Sequence, residues 1–115
     1  MDARTQARLQ ERVKVIKAMA HPSRLFMVEQ LARGERCVCE LTAMIGADIS
    51  TVSKHLAVLK RAGIVADRKE GLQVYYQLKT PCVLQFFDCI EAVCRAGDRP
   101  AKAVTGKAKC CSIAD

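Results

Sequence analysis

The stretch Asp48-Ile49-Ser50-Thr51-Val52-Ser53-Lys54-His55-Leu56-Ala57-Val58-Leu59-Lys60-Arg61-Ala62-Gly63 decides how this chain reads. Val52, Leu56 and Leu59 stand at i, i+4 and i+7, on one face of a helix. The opposite face carries Ser50, Lys54, Ala57 and Arg61. Thr51 and Val58 flank it on one side, Ser53 and Lys60 on the other. That face is small, polar and basic, and it holds no acid. Small hydroxyls beside Lys and Arg suit a helix lying against phosphates and base edges. Taken alone, the same face would serve equally well as solvated surface. Gly63 closes the helix, as a residue at ease in the left-handed conformation.

Immediately upstream, Leu41, Met44 and Ile45 mark a short helix stopped by Gly46. Only Ala47, Asp48 and Ile49 lie between the two, the spacing of a helix-turn-helix. Downstream, residues 64–69 and 72–78 predict two strands with Lys69-Glu70-Gly71 as the turn. Leu72, Val74, Tyr76 and Leu78 alternate at period two. Arg68 and Lys69 fall near the tip, and a basic hairpin after a helix-turn-helix reads as the wing of a winged helix.

Further out, residues 4–20 carry helical periodicity, with Leu9, Val13, Ile16 and Ala20 on one face. Pro22 ends that helix or opens the next. Leu25, Val28, Leu31 and Ala32 form the next stripe, closed by Arg33-Gly34. Pro81 opens a last helix over 82–96, with Val83, Phe86, Phe87, Ile90, Val93 and Cys94 as a wide apolar stripe. An apolar stripe at each end of the chain predicts helices that pair with a second subunit. The expected fold is mainly α with a small β-hairpin (α+β): a winged helix-turn-helix, homodimeric through its N- and C-terminal helices. Residues 1–96 form the domain. Residues 97–115 read as a flexible basic tail ending in Cys110-Cys111.

Composition supports one small domain: 115 residues, half of them apolar. Nineteen basic against twelve acidic residues leave a formal charge of +7. That balance favours a polyanion, nucleic acid before an anionic membrane surface. No apolar run approaches the ~20 residues of a membrane span. Met1-Asp2-Ala3-Arg4-Thr5-Gln6 lacks the layout of a signal peptide, so a cytoplasmic location is expected. There, seven cysteines, an odd count, argue against structural disulfides. Some would pack as small hydrophobes; the rest are candidates for metal or redox chemistry.

The order helix, helix, helix-turn-helix, wing, helix resembles the ArsR/SmtB family of metal-responsive bacterial repressors, most closely its arsenic-sensing branch. The resemblance rests on Ala20-His21-Pro22-Ser23-Arg24-Leu25, Cys37-Val38-Cys39-Glu40-Leu41, Ser50-Thr51-Val52-Ser53-Lys54-His55-Leu56 and Gly63-Ile64-Val65, and covers about residues 10–95. It implies a homodimer that binds double-stranded operator DNA and lets go when a thiophilic ion binds. It implies that Ser50, Thr51, Ser53 and Lys54 face the major groove, in agreement with the helical wheel. His55 lies nearer the apolar flank and reads as packed or phosphate-facing. Arg61, Arg68 and Lys69 complete the expected DNA-binding set.

Cys37 and Cys39 stand two apart at the start of a helix. Within an intact helix their side chains would diverge by about 200°. Shared ligation therefore requires Cys37 outside the helix or pulled out of it, which would shift the first half of the helix-turn-helix. Arsenic sensors of this family usually carry Cys-x-Cys-x-x-Cys; here Thr42 holds the third place. A cadmium-type site borrows cysteines from the N-terminal arm, but residues 1–36 contain none. A third ligand must come from Cys82, Cys89, Cys94 or the tail. Cys82 and Cys89 share a face but lie about 10 Å apart along the axis. The link from Gly97 to Cys110 has a flexible reach of about 20 Å, so Cys110 and Cys111 are the preferred donors. The family's other site, on the last helix, needs His, Asp and Glu, and no His follows His55. His21 reads as a helix-start residue.

The expected inducer is As(III), or Sb(III) or methylarsenite, with no organic cofactor. A Cd-, Pb- or Zn-responsive repressor and a repressor sensing thiol oxidation are the alternatives. A thiol enzyme is disfavoured, because there is no Cys-x-x-Cys in a βαβ context and no evident base beside a cysteine.

Overall fold

The computed structural model describes residues 1–96. The expectations for the tail, Cys110 and Cys111 included, lie outside the described residues. Residues Met1–Thr80 make one compact unit, and the segment from Pro81 a second.

Within the first unit, helix α1 (Ala3–Met19) starts at Asp2, whose side chain accepts the Thr5 backbone N–H at 2.7 Å. His21 then caps α2 (Pro22–Leu31): its Nδ1 accepts the Ser23 backbone N–H at 3.0 Å, and Pro22 sits in the first turn, where no N–H is needed. The helix-start reading of His21 is what the geometry gives. After Gly34 the chain enters a two-residue strand, β1 (Arg36–Cys37), and turns directly into α3 (Val38–Ile45). Gly46, at φ +80°, ends α3 and lets the chain swing into α4 (Ile49–Arg61) within a tight turn. At the other end of α4, Gly63 takes φ +83°, its N–H reaches the Lys60 carbonyl, and the Ile64 N–H reaches the Leu59 carbonyl. Those two bonds close the helix and start β2 (Val65–Glu70), which pairs with β3 (Gln73–Leu78).

The core lies where α2, α3 and α4 meet the base of the sheet. Met27, Val28, Leu41, Val52, Leu56, Leu59 and Val65 are fully buried. Val52, Leu56 and Leu59 occupy the face the heptad-like spacing predicted. Met27 and Ile64 join the core, whereas Leu25 and Ala32 turn out to be exposed: α2 is rotated so that Met27, Val28 and Leu31 face inward. On α1 only Ala18 and Met19 are buried. Leu9, Val13 and Ile16 form a stripe that is 37–48 % exposed, and Ala20 is exposed as well.

The hairpin differs from expectation at its tip. Register runs from Val65 opposite Leu78 to Glu70 opposite Gln73. The turn is therefore Gly71-Leu72, with Gly71 at φ +65°, and Leu72 is fully exposed in it instead of lying in the strand. A two-residue hairpin loop with positive φ matches strand twist better than the three-residue turn expected from Lys69-Glu70-Gly71. The sheet also has a third member, unforeseen because two residues carry no period. β1 pairs antiparallel with β3, Arg36 opposite Tyr76 and Cys37 opposite Tyr75, giving the order β1-β3-β2.

The second unit contains α5 (Val83–Arg95), where 82–96 was expected. Phe86, Ile90 and Val93 are exposed along it, Val93 by 72 %. Cys82 and Cys94 are exposed and Cys89 is half-buried, so Cys94 does not occupy a core position within this single chain. Among the described residues no helix is long and apolar enough to cross a membrane.

Candidate nucleic-acid interface

Helix α4 is held by its buried face and free on the other. Ser50, Thr51, Ser53 and Lys54 are exposed over its first turns, and Arg61 is exposed at its end. Asp48 stands at the N-cap in extended backbone and accepts the Ser50 hydroxyl at 2.9 Å. Hydrogen bonds from Thr51 and Ser50 hold the Asp48 carboxyl below its ordinary pKa. The start of α4 thus carries a fixed anion, held by donors in the first turn of the helix.

His55 is not on the open face. Its ring lies 4.4 Å from the His21 ring, and its Nδ1 accepts the Arg24 Nε–H at 3.1 Å. Arg24 also donates to the Ala18 carbonyl at 3.2 Å. This cluster ties α4 to the start of α2 and the end of α1. Burial, then the neighbouring His21 and Arg24, pushes the His55 pKa down. Of the two readings left open for His55, packed or phosphate-facing, the geometry favours packed.

The wing cations separate into free and bound. Lys69 is exposed, with no ion pair among the described residues, and the same holds for Lys54 and Arg61. Lys60 is paired with Asp67 at 3.1 Å. Arg68, expected among the DNA-contacting cations, is engaged within the protein. Its Nε and Nη2 donate to the two Glu35 oxygens, both at 2.8 Å, and its Nη1 donates to Glu70 at 2.7 Å. The guanidinium also lies 4.9 Å over the Tyr75 ring. Two carboxylates raise the Arg68 pKa, and Arg68 lowers that of Glu35. A guanidinium already satisfied by a fork of two carboxylates offers little net charge to a phosphate.

The cysteine pair lies beside the wing. Cys37 is the N-cap of α3, at φ −84° and ψ 161°, extended and outside the helix. Its side chain is buried, and its backbone N–H donates to Glu40 Oε1 at 3.0 Å. Cys39, inside the first turn of α3, is exposed, and its thiol donates to Gln73 Oε1 at 3.6 Å. The condition set by the sequence, that Cys37 stand outside the helix, is met. Among the described residues no group of three or more Cys, His, Asp or Glu is placed to hold an ion. Arg24, Glu35 and Gln73 carry contacts that sequence reading missed. Each acts on a residue at least thirty positions away, and no local pattern signals that.

Residues 21–67 match the family model described as bacterial regulatory protein, arsR family. The arsenic resistance transcriptional regulator ArsR1 of Pseudomonas putida is 44 % identical over 77 residues, spanning 66 % of this chain and 59 % of that regulator. The biofilm growth-associated repressor of Xylella fastidiosa 9a5c is 32 % identical over 96 residues, 84 % of either chain. A homodimeric winged helix-turn-helix DNA-binding domain from Mycobacterium bovis superposes with a TM-score of 0.73 at 27 % identity, over 89 % of this chain and 97 % of that one. The relatives named here are transcriptional regulators or DNA-binding domains, not enzymes.

Proposed function

The chain belongs to the ArsR family of bacterial regulatory proteins, and on that footing we propose that it is a cytoplasmic, homodimeric repressor that leaves operator DNA when a thiophilic metalloid, As(III) in the first place, binds its cysteines. The observation that carries this is the extended backbone at Cys37, which stands outside α3 next to an exposed Cys39. Two thiols at that junction can turn toward one ion without first unwinding a helix. They supply two soft donors. As(III) takes three, so the third is assigned to Cys110 or Cys111.

On the DNA side, Ser50, Thr51, Ser53 and Lys54 are offered to the major groove, with Lys69 and Arg61 to phosphates. Dimerisation is assigned to α1 and α5, whose exposed stripes Leu9, Val13, Ile16 and Phe86, Ile90, Val93 need a cover. The chain's own residues couple the two events: α3 packs on α4, so a shift of the Cys37–Cys39 junction reaches the reading helix. Release can be no stronger than the ion's preference for the DNA-free form.

The test is anisotropy of a labelled operator duplex, under controlled reductant, with wild type, Cys37→Ser, Cys39→Ser and a chain truncated after Lys109. Arsenite should release wild type and none of the three variants. Release surviving truncation moves the third donor to Cys82, Cys89 or Cys94. Release by cadmium, lead or zinc alone reassigns the ion, and release by peroxide alone makes the protein a thiol-oxidation sensor.

A further inference from the structure

The segment that carries the two cysteines is also part of the wing. It is tied to the hairpin at three successive points. Glu35 holds Arg68 of β2 with both carboxylate oxygens. Cys37 lies opposite Tyr75 of β3 in the ladder. Cys39 donates its thiol to Gln73, the first residue after the hairpin turn. These ties converge, because Tyr75 is also the ladder partner of Arg68 and carries its guanidinium on the ring. Lys69, the free cation of the wing, is the neighbour of Arg68 in the chain.

We propose that Arg68 and Gln73 are positioning residues that make the wing follow the state of the Cys37–Cys39 segment, so that ion binding releases DNA by displacing the wing as well as through α3 and α4. The proposal rests on the thiol site put forward above and names the route of its signal.

The chemistry at Cys39 supplies the trigger. With arsenous acid, each thiol exchanges its S–H bond for an S–As bond, and the thiol proton leaves with a displaced hydroxide as water; no electron is transferred. Cys39 then has no proton to donate to Gln73, and its sulfur must swing toward Cys37. Gln73 loses its partner at the end of β3 nearest the turn. At the other end of the segment, the Glu35–Arg68 fork passes any movement of residues 35–37 to β2. A bidentate pair is directional, so it transmits position and not only charge. The wing tip, with Lys69, then leaves the geometry in which it meets a phosphate.

The experiment uses full-length protein and sodium arsenite as the probe. Hydrogen–deuterium exchange is followed over residues 73–78, and operator affinity is measured with and without arsenite. The proteins are wild type, Glu35→Gln, Arg68→Gln, Gln73→Ala and the swap Glu35→Arg with Arg68→Glu. Arsenite should accelerate exchange in β3 of wild type. The three single variants should bind arsenite stoichiometrically yet lose fivefold or more of the arsenite-induced drop in affinity, and the swap should recover it. The swap also carries Glu70→Gln, which removes the like charge that a carboxylate at position 68 would meet, so it keeps the pair with position 35 and reverses its charges. Unchanged exchange in β3 with full release in all single variants overturns the wing route while the arsenite-sensing reading stands. Absence of arsenite binding by wild type overturns both.

Discussion

Which cations of this surface meet DNA can be read from the salt dependence of operator binding. Each neutralised phosphate releases condensed counterions, so log Kd rises with log salt with a slope of about 0.9 per contact. Per protomer, Arg61 and Lys69 are free to reach phosphates while Lys54 faces the groove, whereas Arg68 is engaged by Glu35 and Glu70 and Lys60 by Asp67. A dimer then presents about four phosphate contacts, a slope of about 3.6, and about a 150-fold loss of affinity between 50 and 200 mM salt. If Arg68 counted as well, the slope would be about 5.4 and the loss about 2,000-fold. The perturbation is Lys69→Gln against Arg68→Gln, read by operator anisotropy at several salt concentrations without arsenite. Lys69→Gln removes one contact per protomer and should lower the slope by about 1.8. Arg68→Gln should leave it within about half a unit of wild type, and Glu35→Gln should raise it by freeing the guanidinium. An Arg68→Gln slope that falls as far as that of Lys69→Gln would refute the reasoning: the pair with Glu35 would then open on DNA and Arg68 would be a phosphate contact.

Three further outcomes are expected. Because the fold holds His55 below its ordinary pKa of 6.5, the unfolded chain takes up the proton first as pH falls; this contribution to stability is complete above about pH 6.5 and is lost as pH drops through that value toward the folded pKa. Thermal melts from pH 7.5 to 5 should therefore decline less steeply in His55→Asn than in wild type, and equal slopes would remove His55 from the account. Leu56→Ala, at a fully buried position of α4, should cost about 2–5 kcal/mol in urea unfolding; a loss well under about 1 kcal/mol would mean the recognition helix is not anchored there. Gly46→Ala meets open space but must hold φ +80°, so it should cost about 1–2 kcal/mol of backbone strain, and Gly46→Asn less, by the same unfolding assay.

Much of this protein was legible in one dimension, for a physical reason. Amphipathic helices write their buried face into spacing, so Val52, Leu56 and Leu59 announced both α4 and the open face opposite. Turn glycines announce left-handed corners, so Gly46 marked the turn inside the helix-turn-helix and Gly63 its end. Cys37-x-Cys39 at a helix start posed the geometric condition that the extended N-cap then met. What the spacing could not carry were the pairings between distant segments. A two-residue strand has no period, so β1 was invisible until β3 stood next to it. Arg68 looked like a free wing cation because Glu35, 33 residues earlier, becomes its neighbour only when β1 closes the sheet. His55 looked ambiguous until Arg24 and His21 enclosed it. The turn moved to Gly71-Leu72 because cross-strand register, not local composition, selects the loop. Local periodicity determined the elements and the reading face. Tertiary structure decided which charges are already spent within the protein, and it placed the thiol pair against the wing.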